Sequence, residues 1–279
     1  MKVLLAGWNE NALYSLRALI RTKHIVSAVI LPKDYDTSVI SLFCDKKNIN
    51  CLSGDSADIL KYAKKYKVDI IISASWPKIL KEEVFSYPKY GSINIHAGML
   101  PKYRGQHPLN WAIIRGEKSI GVTVHYISSG VDNGDIILQK SFKVLISDDI
   151  NSVRKKATTL GSKLLIDSLT LLESNSVKRI KQNDSQATFA PKRCPEDGHI
   201  NWNSSIKDIR NLVRSLVDPY PNAFTFSKDG KKILVKKTYV SNECGKVLFK
   251  FKDYYGVGVI DGVILIHTEK KLKVGDMLF

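Results

Sequence analysis

Asn94 and His96 stand two residues apart in the run Gly91-Ser-Ile-Asn-Ile-His-Ala-Gly-Met-Leu-Pro-Lys-Tyr-Arg-Gly105, at the end of its apolar stretch. A strand there would turn both side chains to the same side, because the side-chain period of a strand is two. A second polar run, Ser128-Ser-Gly-Val-Asp132-Asn-Gly-Asp135, follows the strand-like Gly121-Val-Thr-Val-His-Tyr-Ile127 and can return a carboxylate to the imidazole. Such a carboxylate fixes the imidazole tautomer and favours its protonated form. Asn94 adds an NH₂ donor that can meet negative charge developing on an oxygen. No Ser, Cys or Thr occupies an obvious nucleophile position, and Gly-x-Ser-x-Gly is absent. The set therefore suits direct attack of an external nucleophile on a carbonyl better than a covalent intermediate. Two other readings stay open. His96, Asp132 and Asp135 can be metal ligands, although no second His stands at helical spacing. Asp132 can also merely cap a loop, with Asn133-Gly134 an ordinary turn. His24 and His267 read as peripheral, while His107 and His125, near the loop, fit either a site or the core.

The elements that must carry these groups alternate along the chain. Residues 2–7 read as a buried strand that feeds a helix through Trp8-Asn9-Glu10-Asn11, and residues 25–31 as a second strand stopped by Pro32. A polar helix over 56–66, a strand over 68–74, a short helix over 78–86 and a strand over 92–96 follow, then a helix near 107–115. This order predicts an α/β fold with an open, mostly parallel, Rossmann-like sheet covered by helices. Ligands in such sheets gather beyond the carboxyl ends of the strands, where Asn94 and His96 fall. The first strand-to-helix turn lacks G-x-G-x-x-G and no Walker loop occurs, which weakens NAD, FAD and ATP as ligands. In residues 151–173 an apolar stripe at steps of three and four predicts a scaffold helix. Residues 174–197 are polar and irregular, and Ile206, Ile209, Leu212, Val213 and Leu216 mark a further amphipathic segment. Strand-like runs at 232–235, 246–249, 256–260 and 263–267 predict a small β-rich domain. The expected division is a catalytic domain over 1–200, then a linker helix and small β domain over 201–279.

The formal net charge of +16 invites a nucleic-acid reading, but 34 of the 43 basic residues are Lys and they are scattered. A solvated surface explains this at least as well, and anionic small molecules fit either view. Cys44, Cys51, Cys194 and Cys244 form no disulfide or zinc spacing, no stretch is long enough to span a bilayer, and the N-terminus lacks a signal-peptide pattern. A reduced, cytoplasmic protein is the expectation.

Taken together, Asn94-Ile-His-Ala97, Leu100-Pro-Lys-Tyr-Arg-Gly105, Gly121-Val-Thr123 and Val131-Asp-Asn-Gly-Asp135 resemble the 10-formyltetrahydrofolate-dependent formyltransferases. The resemblance implies the formyltransferase fold and makes Asn94, His96 and Asp132 the catalytic set. Later segments, Arg193-Cys-Pro-Glu-Asp-Gly198 and Asp218-Pro-Tyr-Pro-Asn-Ala-Phe224, look like the sugar-nucleotide N-formyltransferase branch, with Cys194 between Arg193 and Pro195 and Asn222 where Gly is common. A tail short for the larger β barrel of the methionyl-tRNA formyltransferases points the same way.

The resemblance further implies N10-formyltetrahydrofolate as co-substrate, no metal, and as partner a nucleotide-linked amino-dideoxyhexose such as dTDP-4-amino-4,6-dideoxyglucose or its 3-amino analogue. His96 would take the proton of the attacking amine, Asn94 would donate to the developing oxyanion, and Asp132 would orient His96. The pterin would lie near Ile127 to Val131 and Asp135, with an apolar wall from Trp76 and Ile79; Trp8, Asn9 and Tyr220 would contact the acceptor. The formamido product would suit a cell-surface polysaccharide such as O-antigen, and a homodimer is a family expectation. The alternatives are formylation of methionyl-tRNA and a non-catalytic folate or nucleotide-binding module.

Overall fold

The computed structural model describes residues 1–227, 229–240, 250–251, 254–259 and 261–272. Strands and helices alternate first as β1 (Lys2–Gly7), α1 (Asn9–Leu19), β2 (Ile25–Pro32), α2 (Ser38–Lys46), β3 (Cys51–Gly54), α3 (Ser56–Tyr66), β4 (Ile70–Ala74), α4 (Glu82–Phe85) and β5 (Ser92–His96). Then come β6 (Arg104–Gly105), α5 (Pro108–Ile114), β7 (Ser119–Tyr126), β8 (Ile136–Lys143), α6 (Ile150–Glu173), β9 (Phe189–Ala190) and α7 (Ile206–Arg214). The last elements are β10 (Ala223–Phe226), β11 (Lys232–Val235), β12 (Lys237–Val240), β13 (Lys250–Phe251), β14 (Tyr254–Val259) and β15 (Gly262–His267).

The main sheet has seven strands in the order β3-β2-β1-β4-β5-β7-β8. Its first five strands pair in parallel, and β7 runs antiparallel to β5. Val3-Leu4-Leu5-Ala6 and Ile70-Ile71-Ile72 are wholly buried, as continuous apolar runs covered on both faces must be. The chain winds outward from β1 in both directions, so the loops after β1 and β4 open beside each other at the switch point of the sheet. Asp55 starts α3 with a capping box, its carboxylate accepting from the Ala57 and Asp58 N–H groups while the Asp58 carboxylate accepts from Asp55 N–H.

Two compact units divide the chain. One comprises residues 1–105, 120–142 and 155–189, the other 106–119, 143–154 and 190–279. The first holds most of the seven-stranded sheet. Within the second, β12-β15-β14-β13 form an antiparallel sheet and β10-β11 a separate pair. Ile209, Val213 and Leu216, the amphipathic face read from the sequence, pack with Ile233, Val235, Tyr255, Val257, Ile264 and Ile266 in one core.

Several elements depart from the sequence reading. The helix expected over 78–86 covers only Glu82–Phe85, because Lys81 is still extended (φ −71°, ψ 157°). Within the stretch before it, Leu80 is buried and Ile79 exposed. The short α2, β3, β10 and β12, and the half-polar β8, carry too little periodicity to announce themselves. The strand expected over 246–249, and the last residue of the one expected over 256–260, lie outside the described residues.

Asn222 has a local explanation. Its φ of +59° lies in the left-handed region, where Gly is at ease and Asn is tolerated. Its side-chain Nδ2 also donates to Asp218 Oδ1 at 2.9 Å. Asn222→Gly loses this bond but relieves the backbone, so it is expected to shift the urea midpoint little, whereas Asn222→Val loses the bond and adds backbone strain and should cost about 2 kcal/mol. Equal midpoints for the two variants would overturn this account.

Candidate active site

The end of β5 positions the first two groups. In the antiparallel register with β7, Asn94 faces His125 and His96 faces Thr123, so Asn94 and His125 are direct cross-strand neighbours. His96 Nε2 lies 2.7 Å from Tyr103 O. A carbonyl only accepts, so Nε2 carries the hydrogen and donates. That leaves Nδ1 as the basic nitrogen, 3.4 Å from Asp132 Oδ2. The same logic applies to His125, whose Nδ1 donates to Tyr126 O at 2.8 Å. Its free Nε2 accepts from Asn94 Nδ2 at 3.2 Å and stands 3.4 Å from Asp132 Oδ1. Asn94 Nδ2 also donates to Asp132 Oδ1 at 3.3 Å, and Gly105 N–H donates to Asp132 Oδ2 at 2.9 Å. One carboxylate thus joins two imidazoles, one amide and one backbone donor.

The loop that delivers this carboxylate is tightly specified. Asp132 has a left-handed φ of +48°, a conformation that Asp tolerates better than most residues. At Gly134 a Cβ would come within 1.9 Å of Tyr126 O, so the turn after Asp132 admits only Gly. On the other side of the site, a Cβ on Gly98 would lie 2.7 Å from His96 Nε2. The glycines of Ala97-Gly98 and Asn133-Gly134 are there for room.

Burial pushes the His96 imidazole below its usual 6.5, which the Asp132 carboxylate opposes and the neighbouring His125 reinforces. Burial would raise the Asp132 carboxyl, yet His96, His125 and the Gly105 N–H outweigh it and hold it well below the usual carboxylate range. His96 therefore binds a proton more readily in the unfolded chain than in the fold. Its contribution to stability is complete above about pH 6.5 and shrinks as the pH drops below that value. The contribution of Asp132 is present above its unfolded value near 3.8 and is lost only as the pH falls below it towards the folded value. Thermal melts are expected to give a Tm that is level above about pH 7 and declines on acidification, with His96→Gln flattening the first part of the decline. A wild-type Tm unchanged between about pH 8 and pH 5 would contradict the assignment.

The structure brings Asn94, His96 and Asp132 together and adds His125, Gly105 N–H and Tyr103 O. The sequence had left His125 undecided. The only available signal was its place in Gly121-Val-Thr-Val-His-Tyr-Ile127, and that run does not disclose which strand it pairs with. Asn11 was also missed. It reaches from the first turn of α1 to Ser75 Oγ at 3.3 Å and Ile95 O at 3.5 Å.

Trp8 pairs with Tyr35, their ring centroids 4.4 Å apart, and donates its backbone N–H to Ala74 O. Asn9 takes a left-handed φ of +61° and accepts the Asn11 N–H on Oδ1. Trp76 and Ile127 both pack against the apolar cluster that includes Leu4, Ile30 and Ile71. Ile79 is 71% and Val131 46% exposed. Asp135 contributes its carbonyl, which accepts the Tyr126 N–H at 2.9 Å. Tyr220 belongs to the second unit, where the Arg154 guanidinium lies 6.0 Å from its ring centroid.

The Trp76 Nε1–H is buried without a partner. A hydrogen-bond donor left open on an indole fits a flat heteroaromatic ring that brings its own acceptors. Among the described residues no group of three or more His, Cys, Asp or Glu is arranged to hold a metal ion, and no helix is long and apolar enough to cross a membrane.

Residues 18–169 match the Formyl transferase family, and residues 193–276 match "Formyl transferase, C-terminal domain". The methionyl-tRNA formyltransferase of Caldanaerobacter subterraneus subsp. tengcongensis is 35% identical over 257 residues, covering 88% of this chain and 82% of its own. Among solved structures, an N-formyltransferase from Helicobacter canadensis, in complex with folinic acid and dTDP-3-aminofucose, superposes with a TM-score of 0.77. It is 24% identical and covers 96% of this chain and 99% of its own. The sugar 3N-formyltransferase WlaRD, with dTDP and 5-N-formyl-THF, gives a TM-score of 0.76 at 24% identity, over 98% of this chain and 99% of that one.

Proposed function

Since this chain belongs to the formyltransferase family, we propose that it transfers the formyl group of N10-formyltetrahydrofolate to the amine of a nucleotide-linked amino-dideoxyhexose. The observation that carries the chemistry is the single Asp132 carboxylate shared by His96, His125 and Asn94. Such a cluster offers a base and an oxyanion donor but no protein nucleophile, which suits direct attack of an amine on a formyl carbon. The folate supplies the formyl carbon, and Trp76, Ile79, Ile127, Val131 and Asp135 are the residues assigned to hold it.

His96 accepts the proton of the attacking amine at Nδ1 and returns it to N10 as the formyl carbon–N10 bond breaks, so that tetrahydrofolate leaves. The His96 Nε2–H is already committed to Tyr103 O, and Asp132 Oδ2 waits 3.4 Å from Nδ1 to balance the new charge. The proton reaches His96 from the amine directly or through one water. The lowered affinity of His96 for protons keeps it in the basic form at neutral pH. Asn94 turns an Nδ2–H to the oxygen on which charge develops. Both of its present hydrogen bonds are long, 3.2 and 3.3 Å, and exchanging one costs little.

For the acceptor, support comes from Arg193-Cys-Pro-Glu-Asp-Gly198 and Pro219-Tyr-Pro-Asn-Ala-Phe224, and from an architecture matched over nearly the full length of a sugar 3N-formyltransferase and of an N-formyltransferase in complex with dTDP-3-aminofucose. Trp8, Asn9 and Tyr220 are the proposed acceptor contacts. Methionyl-tRNA is the second reading, favoured by the 35% identity to a curated methionyl-tRNA formyltransferase and by the net charge of +16. A cytoplasmic location suits either acceptor.

The deciding experiment supplies N10-formyltetrahydrofolate with a panel of dTDP-, GDP- and UDP-linked 3-amino and 4-amino sugars, and separately with methionyl-tRNA. Turnover of at least one amino sugar, well above the tRNA rate, is the expected result. Turnover of tRNA alone overturns the acceptor, and binding of folate without any turnover favours a non-catalytic module.

A further inference from the structure

The carboxylate at the centre of the cluster is aimed by a loop, and that loop is held by a residue fifty positions further along the chain. Gln182 Nε2 donates to Asp132 O at 2.8 Å and to Gly134 O at 2.7 Å. Its Oε1 accepts from Arg104 Nε at 3.1 Å and Nη2 at 2.8 Å. Arg104 Nη2 also reaches Asp184 Oδ1 at 2.7 Å. Both Gln182 and Arg104 are buried, at 7% and 5% exposure. A guanidinium has donors only, so it can face only the oxygen end of the amide. Arg104 therefore dictates which way the Gln182 amide points, and both N–H groups are left for the two loop carbonyls.

The carbonyl of Asp132 belongs to the peptide that follows its Cα. Holding that carbonyl sets the backbone of a residue whose left-handed φ of +48° is itself disfavoured for a side-chain-bearing residue. The carboxylate must meet His96 Nδ1 and His125 Nε2 at 3.4 Å each, so a small rotation of the peptide breaks one contact or the other. The same downstream segment steadies the opposite wall. Thr188 Oγ1 accepts from Tyr103 N–H at 2.9 Å, and Thr188 O accepts from Arg104 N–H at 2.9 Å. Tyr103 and Gly105 are the residues that bind His96 Nε2 and Asp132 Oδ2.

We propose that Gln182, with its amide orientation locked by Arg104, is a positioning residue that sets the Asp132 loop so that one carboxylate serves both His96 and His125. The turnover part of this inference rests on the proposed formyl transfer; the geometric part does not.

Two variants separate the amide's functions. Gln182→Glu keeps an acceptor for Arg104 but removes the donors to the two carbonyls, and Gln182→Met keeps the length while removing both. In each, kcat for formyl transfer is expected to fall on the order of 10²-fold, with KM for folate and acceptor changing less than about threefold. Independently of activity, the ring C–H signal of His96 should titrate at a lower pH than in the wild type, as the carboxylate that favours its protonation moves away. If neither Gln182 variant folds, Arg104→Lys is measured in the same way, since it retains the charge beside Asp184 but loses the two-point grip on Oε1.

An unchanged His96 titration in the folded variants overturns the proposal, whatever happens to Tm, because a merely structural role would lower Tm alone. A wild-type kcat also overturns it. Should the wild type transfer formyl to no acceptor, the function fails, and the His96 titration still decides the positioning.

Discussion

Asp132→Asn is expected to lower kcat roughly 10²–10⁴-fold while leaving a folded protein. The reason is that four groups read this one carboxylate, and an amide cannot serve them together. Oδ2 accepts from Gly105 N–H, and Oδ1 accepts from Asn94 Nδ2. An Asn at 132 has one oxygen. With that oxygen towards Gly105, its NH₂ meets the NH₂ of Asn94, donor against donor. Turned round, it sets the NH₂ against Gly105 N–H. In neither orientation does a negative charge await the proton that arrives on His96 Nδ1, so the imidazolium becomes harder to form. The stability cost of one mismatched buried donor is about 1–3 kcal/mol, too little to unfold most domains of this size. Turnover under saturating substrates, with far-UV circular dichroism as the check on folding, decides the matter. A folded variant with wild-type kcat would remove Asp132 from the chemistry.

The second large effect is expected at His96. His96→Ala should also reduce turnover by roughly 10²–10⁴-fold, the usual contribution of a positioned general base. Here the change removes the nitrogen that faces Asp132 and the N–H that satisfies Tyr103 O. His96→Gln is the sharper comparison, because a glutamine amide can donate to a carbonyl but does not titrate. If Gln restores much of the stability lost in the Ala variant and none of the rate, the ring acts as a base. Should the Gln variant turn over at the wild-type rate, the imidazole is structural and the proton goes elsewhere. His125 is then the first alternative, with its own basic nitrogen 3.4 Å from the same carboxylate.

Much of the fold was legible because the signals were local. β1 and β4 are short apolar runs that need cover on both faces, and α6 carries an apolar stripe through more than twenty residues. The elements that escaped notice were brief or polar. β8, for example, reads Ile-Ile-Leu-Gln-Lys-Ser-Phe-Lys, an apolar start followed by a polar edge. At the site, Asn94 and His96 could be paired from the strand period alone. Tyr103 O, Gly105 N–H and Gln182 could not, since two are backbone groups with no residue signature and the third lies in a segment that reads as irregular.

The sequence by itself determined the chemical types and the side of β5 on which Asn94 and His96 project. These are properties of a few neighbouring residues, set by strand periodicity. Tertiary structure decided which nitrogen of each imidazole is basic and how one carboxylate is shared between two histidines. The tautomers follow from Tyr103 O and Tyr126 O, close by in the chain; the sharing of the carboxylate depends on the cross-strand pairing of β5 with β7 and on hydrogen bonds from Gln182 to the Asp132 loop. These latter partners are distant in the chain, and no local pattern of residues specifies them.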